Sequence, residues 1–249
     1  MKVENNHSSP HSKNGPNDPS SDQSEGQSDD LLPTMIVFDL DDCLWHPEMH
    51  ELPSKPTIPV EGPLDPLHPA TSPLGTIGLC CSSSRRGGGF GWGSSVGGTN
   101  DDDGTTVYLY DGARRVLREL ALNPRYKDII LAAASSSLEP SYSRACLHHI
   151  EIIPDVTMNQ LLIHQEIGRT GHLTSRKTTH FRGLQASSQV PYDEMLFFDD
   201  CNWGDHVGDL ERTLGVVGQR TPQGLTFSEF EQGLAKYQHH QLTKKKDED

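Results

Sequence analysis

The stretch Met35-Ile36-Val37-Phe38-Asp39-Leu40-Asp41-Asp42-Cys43-Leu44-Trp45 decides how this chain folds. Its four leading apolar residues are too few for a helix and suit a buried strand. The chain then turns abruptly to carboxylates. Asp39 and Asp41 are two apart, so on extended backbone their side chains face the same way. A buried strand ending in such a pair is costly unless a cation neutralises it, and oxygen-only ligands suit a hard ion such as Mg²⁺. A carboxylate can attack phosphorus, and a second carboxyl can protonate the leaving oxygen and later activate water. Asp-x-Asp also occurs in ordinary acidic turns, so its meaning depends on whether matching residues occur further along the chain.

Only 33% of the 249 residues are hydrophobic and the mean hydropathy is −0.60. That is thin for one domain of full length, and implies one core of about 150–180 residues plus tail or linker. The formal charge of −14 argues against a nucleic-acid partner and against anionic membrane surfaces. Five cysteines do not form a disulfide framework here and favour a reducing compartment. Residues 1–33 are expected to be a disordered polar tail, without the apolar core of a signal peptide. No run reaches membrane-spanning length, so the cytoplasm is the default location. The domain is expected over 34–238, with a charged, frayed tail at 239–249.

After Trp45 the prolines at 47, 53, 56, 59, 63, 66 and 69 argue against a continuous helix or central strand. Residues 46–106 therefore read as a Pro/Gly/Ser-rich insertion. The low-complexity part, about 71–104, reads as a flexible surface loop whose removal should barely change folding stability. Its glycines lack the Gly-x-Gly-x-x-Gly register, Arg86-Gly-Gly is a single unit, and Cys80-Cys81 lacks a second pair for zinc.

Residues 107–110 lead into a helix capped by Asp111, with Ala113, Val116, Leu117 and Leu120 on one face and a stop near Asn123-Pro124. Residues 128–133 read as a second buried strand, ending in small hydroxyls at 135–137. A hydroxyl there, beside free backbone N–H groups, can bind a phosphoryl oxygen. Glu139-Pro140 opens another helix, on which His148-His149 reads as a solvated pair. Lys177 precedes the helical residues Phe181 and Leu184, with Arg176 as the rival cation. Residues 195–198 form a third apolar strand, again ending in acids, Asp199 and Asp200. Neighbours on a strand point oppositely, so one of the two should touch a metal directly. Asp205 and Asp209 are secondary candidates, 214–217 is a fourth strand, and Thr226 to Glu229 forms a capping box.

Together these residues carry a resemblance. Phe38-Asp39-Leu40-Asp41 with Leu44-Trp45 resembles the first motif of the haloacid dehalogenase superfamily. Ser135, Lys177 and Asp199-Asp200 fall in order as its second, third and fourth motifs. The Lys177-x-Thr179-His180-Phe181 pattern is similar to that of the magnesium-dependent phosphatase-1 family. The resemblance implies an α/β, HAD-like Rossmannoid fold with a doubly wound parallel sheet and a small or flexible cap insertion. It implies a Mg²⁺-dependent phosphatase acting on phosphomonoesters, either protein phosphotyrosine or small sugar phosphates, through an aspartyl-phosphate. Asp39 would be nucleophile, Asp41 acid and base, and Lys177 the fixed cation. Ser135 and Ser136 would contact substrate. Asp39, the Asp41 carbonyl and Asp200 would ligate Mg²⁺, with Asp199 orienting lysine or water. A phosphotransferase and a catalytically silent binding protein are the alternatives. Cys43 stands where the family usually has Thr, which should loosen the nucleophile loop. Ser136 stands where it usually has a polar or basic residue.

Overall fold

A computed structural model describes residues 31–82 and 105–248. The expected tail, Arg86-Gly-Gly and most of the low-complexity stretch lie outside the described residues. Along the chain the strands are β1 (Met35–Phe38), β2 (Trp45–His46), β3 (Pro56–Pro63), β4 (Leu74–Cys81) and β5 (Thr106–Leu109). Helix α1 (Asp111–Leu122), β6 (Ile130–Ser135), α2 (Pro140–His149), β7 (Glu151–Ile153), β8 (Val156–Thr157) and α3 (Met158–Leu161) follow. Then come β9 (His164–Ile167), α4 (Lys177–Ser188), β10 (Met195–Asp199), α5 (His206–Leu214), β11 (Val217–Arg220) and α6 (Phe227–Glu248).

The central sheet has five parallel strands in the order β11-β10-β1-β6-β9. Parallel strands need both faces covered, and the two-residue alternation supplies both. Ile36 and Phe38 point into one core with Leu196, Phe198 and the apolar faces of α1 and α6. Met35 and Val37 point into a second core with Phe197, Phe181 and Leu184 of α4, and Leu210 of α5. Helices on both faces make this the doubly wound α/β architecture that the motif order implies.

The region read as a loop is partly a sheet. β2, β5, β4 and β3 form a four-stranded antiparallel sheet in that order. Composition hid it for two physical reasons. Pro56, Pro59 and Pro63 lie on β3 at the sheet's edge, where a missing N–H removes no internal ladder bond. Gly78 on β4 allows a close approach: a Cβ there would lie 2.7 Å from the Val107 carbonyl oxygen. Leu79, Cys81, Val107 and Leu109 fill the face turned to the core. The buried Arg114 of α1 clamps it by donating to the carbonyls of Ile77 and Glu151, each at 2.8 Å.

Smaller corrections have local causes. Residues 106–109 are strand β5, and the N-cap of α1 is Tyr110, with Asp111 the first helical residue. Leu214 ends α5, Gly215 follows at φ +76°, and the last strand starts only at Val217. The Thr226/Glu229 capping box forms as expected, with Thr226 N donating to Glu229 Oε2 and Glu229 N donating to Thr226 Oγ1. Helix α6 continues through the expected tail to Glu248, held where Lys244 pairs with Asp193 and Gln241 donates to the Asp193 carbonyl. Among the described residues no helix is long and apolar enough to cross a membrane.

Candidate active site

The site follows from strand parity. Asp39 lies one residue past the paired Phe38 and Phe198, and its N–H continues the ladder to the Phe198 carbonyl at 2.9 Å. It shares the parity of Met35 and Val37, so it faces the α4 side of the sheet. Asp199 shares the parity of Met195 and Phe197 and faces the same way. The first residue of α4 is Lys177, whose side chain is only 2% exposed. Its Nζ lies 2.6 Å from Asp39 Oδ1 and 3.1 Å from Asp199 Oδ2, and donates to the Ala134 carbonyl at 2.7 Å. Three adjacent strands thus meet one ammonium. Arg176, the rival cation, is exposed outside this cluster.

One oxygen each of Asp39, Asp199 and Asp200 lie within 4.8 Å of one another, and all three residues are buried. Both acids of the pair at the end of β10 enter this group. Strand alternation does not apply because β10 ends at Asp199 and the chain turns at Cys201, φ +59°. The two acids are bound differently. Asp199 faces Lys177 with Oδ2 and accepts the Cys201 N–H on Oδ1 at 2.8 Å. Asp200 accepts the Asn202 N–H on Oδ2 at 2.8 Å, which leaves Oδ1 open. Asp205 caps α5 and pairs with Arg220 and Arg212; neither it nor Asp209 is in the group.

Three buried carboxylates against one lysine leave excess negative charge. Burial pushes the Asp39 pKa well up; Lys177 pulls against this, while Asp199 and Asp200 add to it. Burial and Asp199 raise Asp200 as well. For Asp199 burial also pushes upward, but Lys177 and His206 outweigh it and the pKa falls. Burial would lower Lys177, yet the two aspartates hold its pKa above the ordinary value. Such a donor set, all oxygen and anionic in excess, fits a hard divalent cation.

Asp41 is placed otherwise. Its carboxylate is outside the three-acid group and accepts from Trp45 Nε1 at 2.8 Å. Burial raises its pKa despite that bond and one from Ser137. Asp39, Asp41 and Asp200 line a pocket of about 150 Å³ together with Ser135 and Ser136. The buried Ser135 accepts the Ser137 N–H on Oγ. Cys43 does not leave its loop loose. The buried thiol donates to the Phe198 carbonyl at 3.6 Å and accepts from Thr221 Oγ1 at 3.4 Å, while Leu44 N bonds the Leu40 carbonyl.

Several pocket residues escaped the sequence reading. Arg169 reaches the lip and donates from Nε to the Ser136 carbonyl at 2.7 Å, bringing a basic group beside Ser136 from another strand. Gly168, at φ +105°, makes the turn that presents it. Position at the end of β9, level with the other strand ends, was the available signal. Trp203, 73% exposed, donates from Nε1 to Glu48 Oε1 at 2.9 Å across the mouth. His180 is buried with its ring nitrogens 3.2 and 3.0 Å from the carbonyls of Arg176 and Gly168. Burial and Lys177 lower its pKa to about 4.

Residues 92–240 match the acid phosphatase family. The chain belongs to that family. The match begins after Asp39 and Asp41, so it covers the β6, α4 and β10 parts of the site. The chain is also similar to human magnesium-dependent phosphatase 1, at 28% identity over 141 residues, 57% of this chain and 70% of the human protein. A looser likeness, TM-score 0.47 and 12% identity, links it to the N-terminal part of a Bacteroides fragilis protein containing a phosphatase domain, solved with Mg. That alignment covers 83% of this chain and 40% of the bacterial one.

Proposed function

We propose that this chain is a Mg²⁺-dependent phosphatase that hydrolyses phosphomonoesters through an aspartyl-phosphate. The observation carrying the reading is the buried group of Asp39, Asp199 and Asp200, over-charged against Lys177 and opening on a pocket. Acid phosphatase family membership and the similarity to a protein named for magnesium dependence support it. Five free cysteines agree with a reducing, cytoplasmic setting. The substrate is protein phosphotyrosine or a small sugar phosphate.

Asp39 Oδ1 is held by Lys177 Nζ and by the Leu40 N–H at 2.8 Å, so Oδ2 is the nucleophilic oxygen. It forms a bond to phosphorus as the ester oxygen leaves. Asp41, whose pKa burial raises, protonates that oxygen; as carboxylate it then takes a proton from the water that cleaves the acyl phosphate. Trp45 keeps its carboxyl aimed throughout. Ser135 and Lys177 hold phosphoryl oxygens. Mg²⁺, held by Asp39, Asp200 and the Asp41 carbonyl, would offset the charge gathering on the phosphoryl group. The open Oδ1 of Asp200 suits a direct ligand, and the ion pair of Asp199 with Lys177 suits an orienter of that lysine.

The test combines chelation with phosphoenzyme trapping. Turnover of p-nitrophenyl phosphate should vanish in excess EDTA and return with Mg²⁺. Acid-quenched labelled phosphoenzyme should be absent in Asp39→Asn and persist longer in Asp41→Asn. Full turnover in EDTA, or phosphoenzyme in Asp39→Asn, overturns the reading.

A further inference from the structure

Beside the catalytic pocket lies a second cleft of about 500 Å³. The two share Ser136, Arg169 and Trp203 as a common wall. Arg176 and Arg212 also line this cleft. This is an unusual place for cations on a chain of formal charge −14. Three arginines line the cleft against two carboxylates, Asp205 and Asp209, and Asp205 is already engaged by Arg212 and Arg220. Arg169 and Arg176 have no carboxylate partner among the described residues; the Arg169 Nε bond goes to a neutral carbonyl. A merely solvated arginine on so acidic a surface is expected to find an acid. Lys177, only 2% exposed and paired with Asp39 and Asp199, does not line this cleft.

Resting on the phosphatase reading, we infer that this cleft binds a second anionic group of the substrate. The preferred substrate is then a small phosphomonoester carrying another phosphate or a carboxylate. The reacting phosphoryl group sits over Asp39 while the second anion meets Arg176 and Arg169, whose planar guanidinium groups suit phosphate and carboxylate oxygens. The shared wall requires both groups on one compact molecule. The Glu48 carboxylate at the mouth, bound to Trp203, opposes an extended acidic chain entering from that side.

The experiment compares fructose 1,6-bisphosphate with fructose 6-phosphate in full-length protein. One arm reads kcat/KM with Mg²⁺, and the other reads Kd by calorimetry in Asp39→Asn, where turnover is blocked. The bisphosphate should be favoured about tenfold or more in both arms, and Arg176→Gln should cut that ratio about tenfold, Arg176→Glu further. Turnover of the monophosphate with a ratio near one that neither variant moves overturns the second-anion site and leaves the phosphatase reading standing. No turnover of either ester, but tighter bisphosphate binding that depends on Arg176, does the reverse. A preference confined to a phosphotyrosine peptide with acidic flanks over its neutral counterpart also overturns the small-molecule assignment.

Discussion

The two sheets of this molecule hold the two halves of the proposed chemistry by different means. The parallel sheet is covered on both faces, and its polar side chains collect at the carboxyl ends, where Asp39, Asp199 and Lys177 lock together at 2.6 and 3.1 Å. The antiparallel sheet is built from glycine-, proline- and cysteine-rich strands and has only one face on the core. Yet Trp45, first residue of its strand β2 and paired with Leu109, holds Asp41. The nucleophile candidate is therefore fixed by the buried parallel sheet alone, whereas the acid candidate also depends on the antiparallel one, through Trp45 beside Ser137. A buried ion cluster tolerates little change, whereas a single hydrogen bond from a neighbouring sheet can be lost with a graded penalty.

The largest effect should come from breaking the parallel side. Lys177→Met removes the ammonium and leaves Asp39 and Asp199 buried without a cation. Losing one partner of a buried pair costs about 3–5 kcal/mol. Urea unfolding in EDTA should show that loss, and kcat/KM with Mg²⁺ should fall about a thousandfold or more. Near wild-type turnover would mean that Lys177 is a structural counterion and that another group meets the phosphoryl oxygens.

Trp45→Phe sharpens the other side. It keeps a ring in the core but removes the donor to Asp41 Oδ1. A hydrogen bond to a charged group is worth about 1.5–3 kcal/mol, so kcat should fall about ten- to a hundredfold. Rapid-quench kinetics should assign part of that loss to phosphoenzyme hydrolysis, the step in which Asp41 is proposed to act as base. An unchanged kcat would separate the antiparallel sheet from the chemistry.

The smallest effect is expected where the antiparallel sheet is interrupted. Cys81 N donates to the Thr105 carbonyl at 2.8 Å, so the chain ends flanking residues 83–104 are already side by side. Replacing 83–104 with about five residues should change stability by about 1 kcal/mol, since loop closure scales weakly with length. Removing 71–104 instead takes out β4, which joins β3 to β5, and should unfold the antiparallel sheet. Thermal melts of the two deletions distinguish these outcomes; equal behaviour would show that β4 contributes little.

Local sequence determined much of the parallel half. Short apolar runs at 35–38 and 195–198 ending in acids, and the Thr226/Glu229 capping box, are written in neighbouring residues. Periodicity and capping are short-range physics, so these strands and the candidates Asp39, Asp41, Ser135, Lys177 and Asp200 were legible, while β9 and the order of strands in the sheet came only from the structure. The antiparallel strands were not. Whether a proline sits at a sheet edge, or a glycine lies under the neighbouring Val107 carbonyl, depends on partners far along the chain. The same holds for the details that set the chemistry. Lys177 meets Asp39 and Asp199 because three strands share a register, Arg169 reaches Ser136 from another strand, and Trp203 meets Glu48 across the mouth. Sequence determined which charges this protein carries; tertiary structure decided which become partners, because the cost of a buried charge is set by what packing brings beside it.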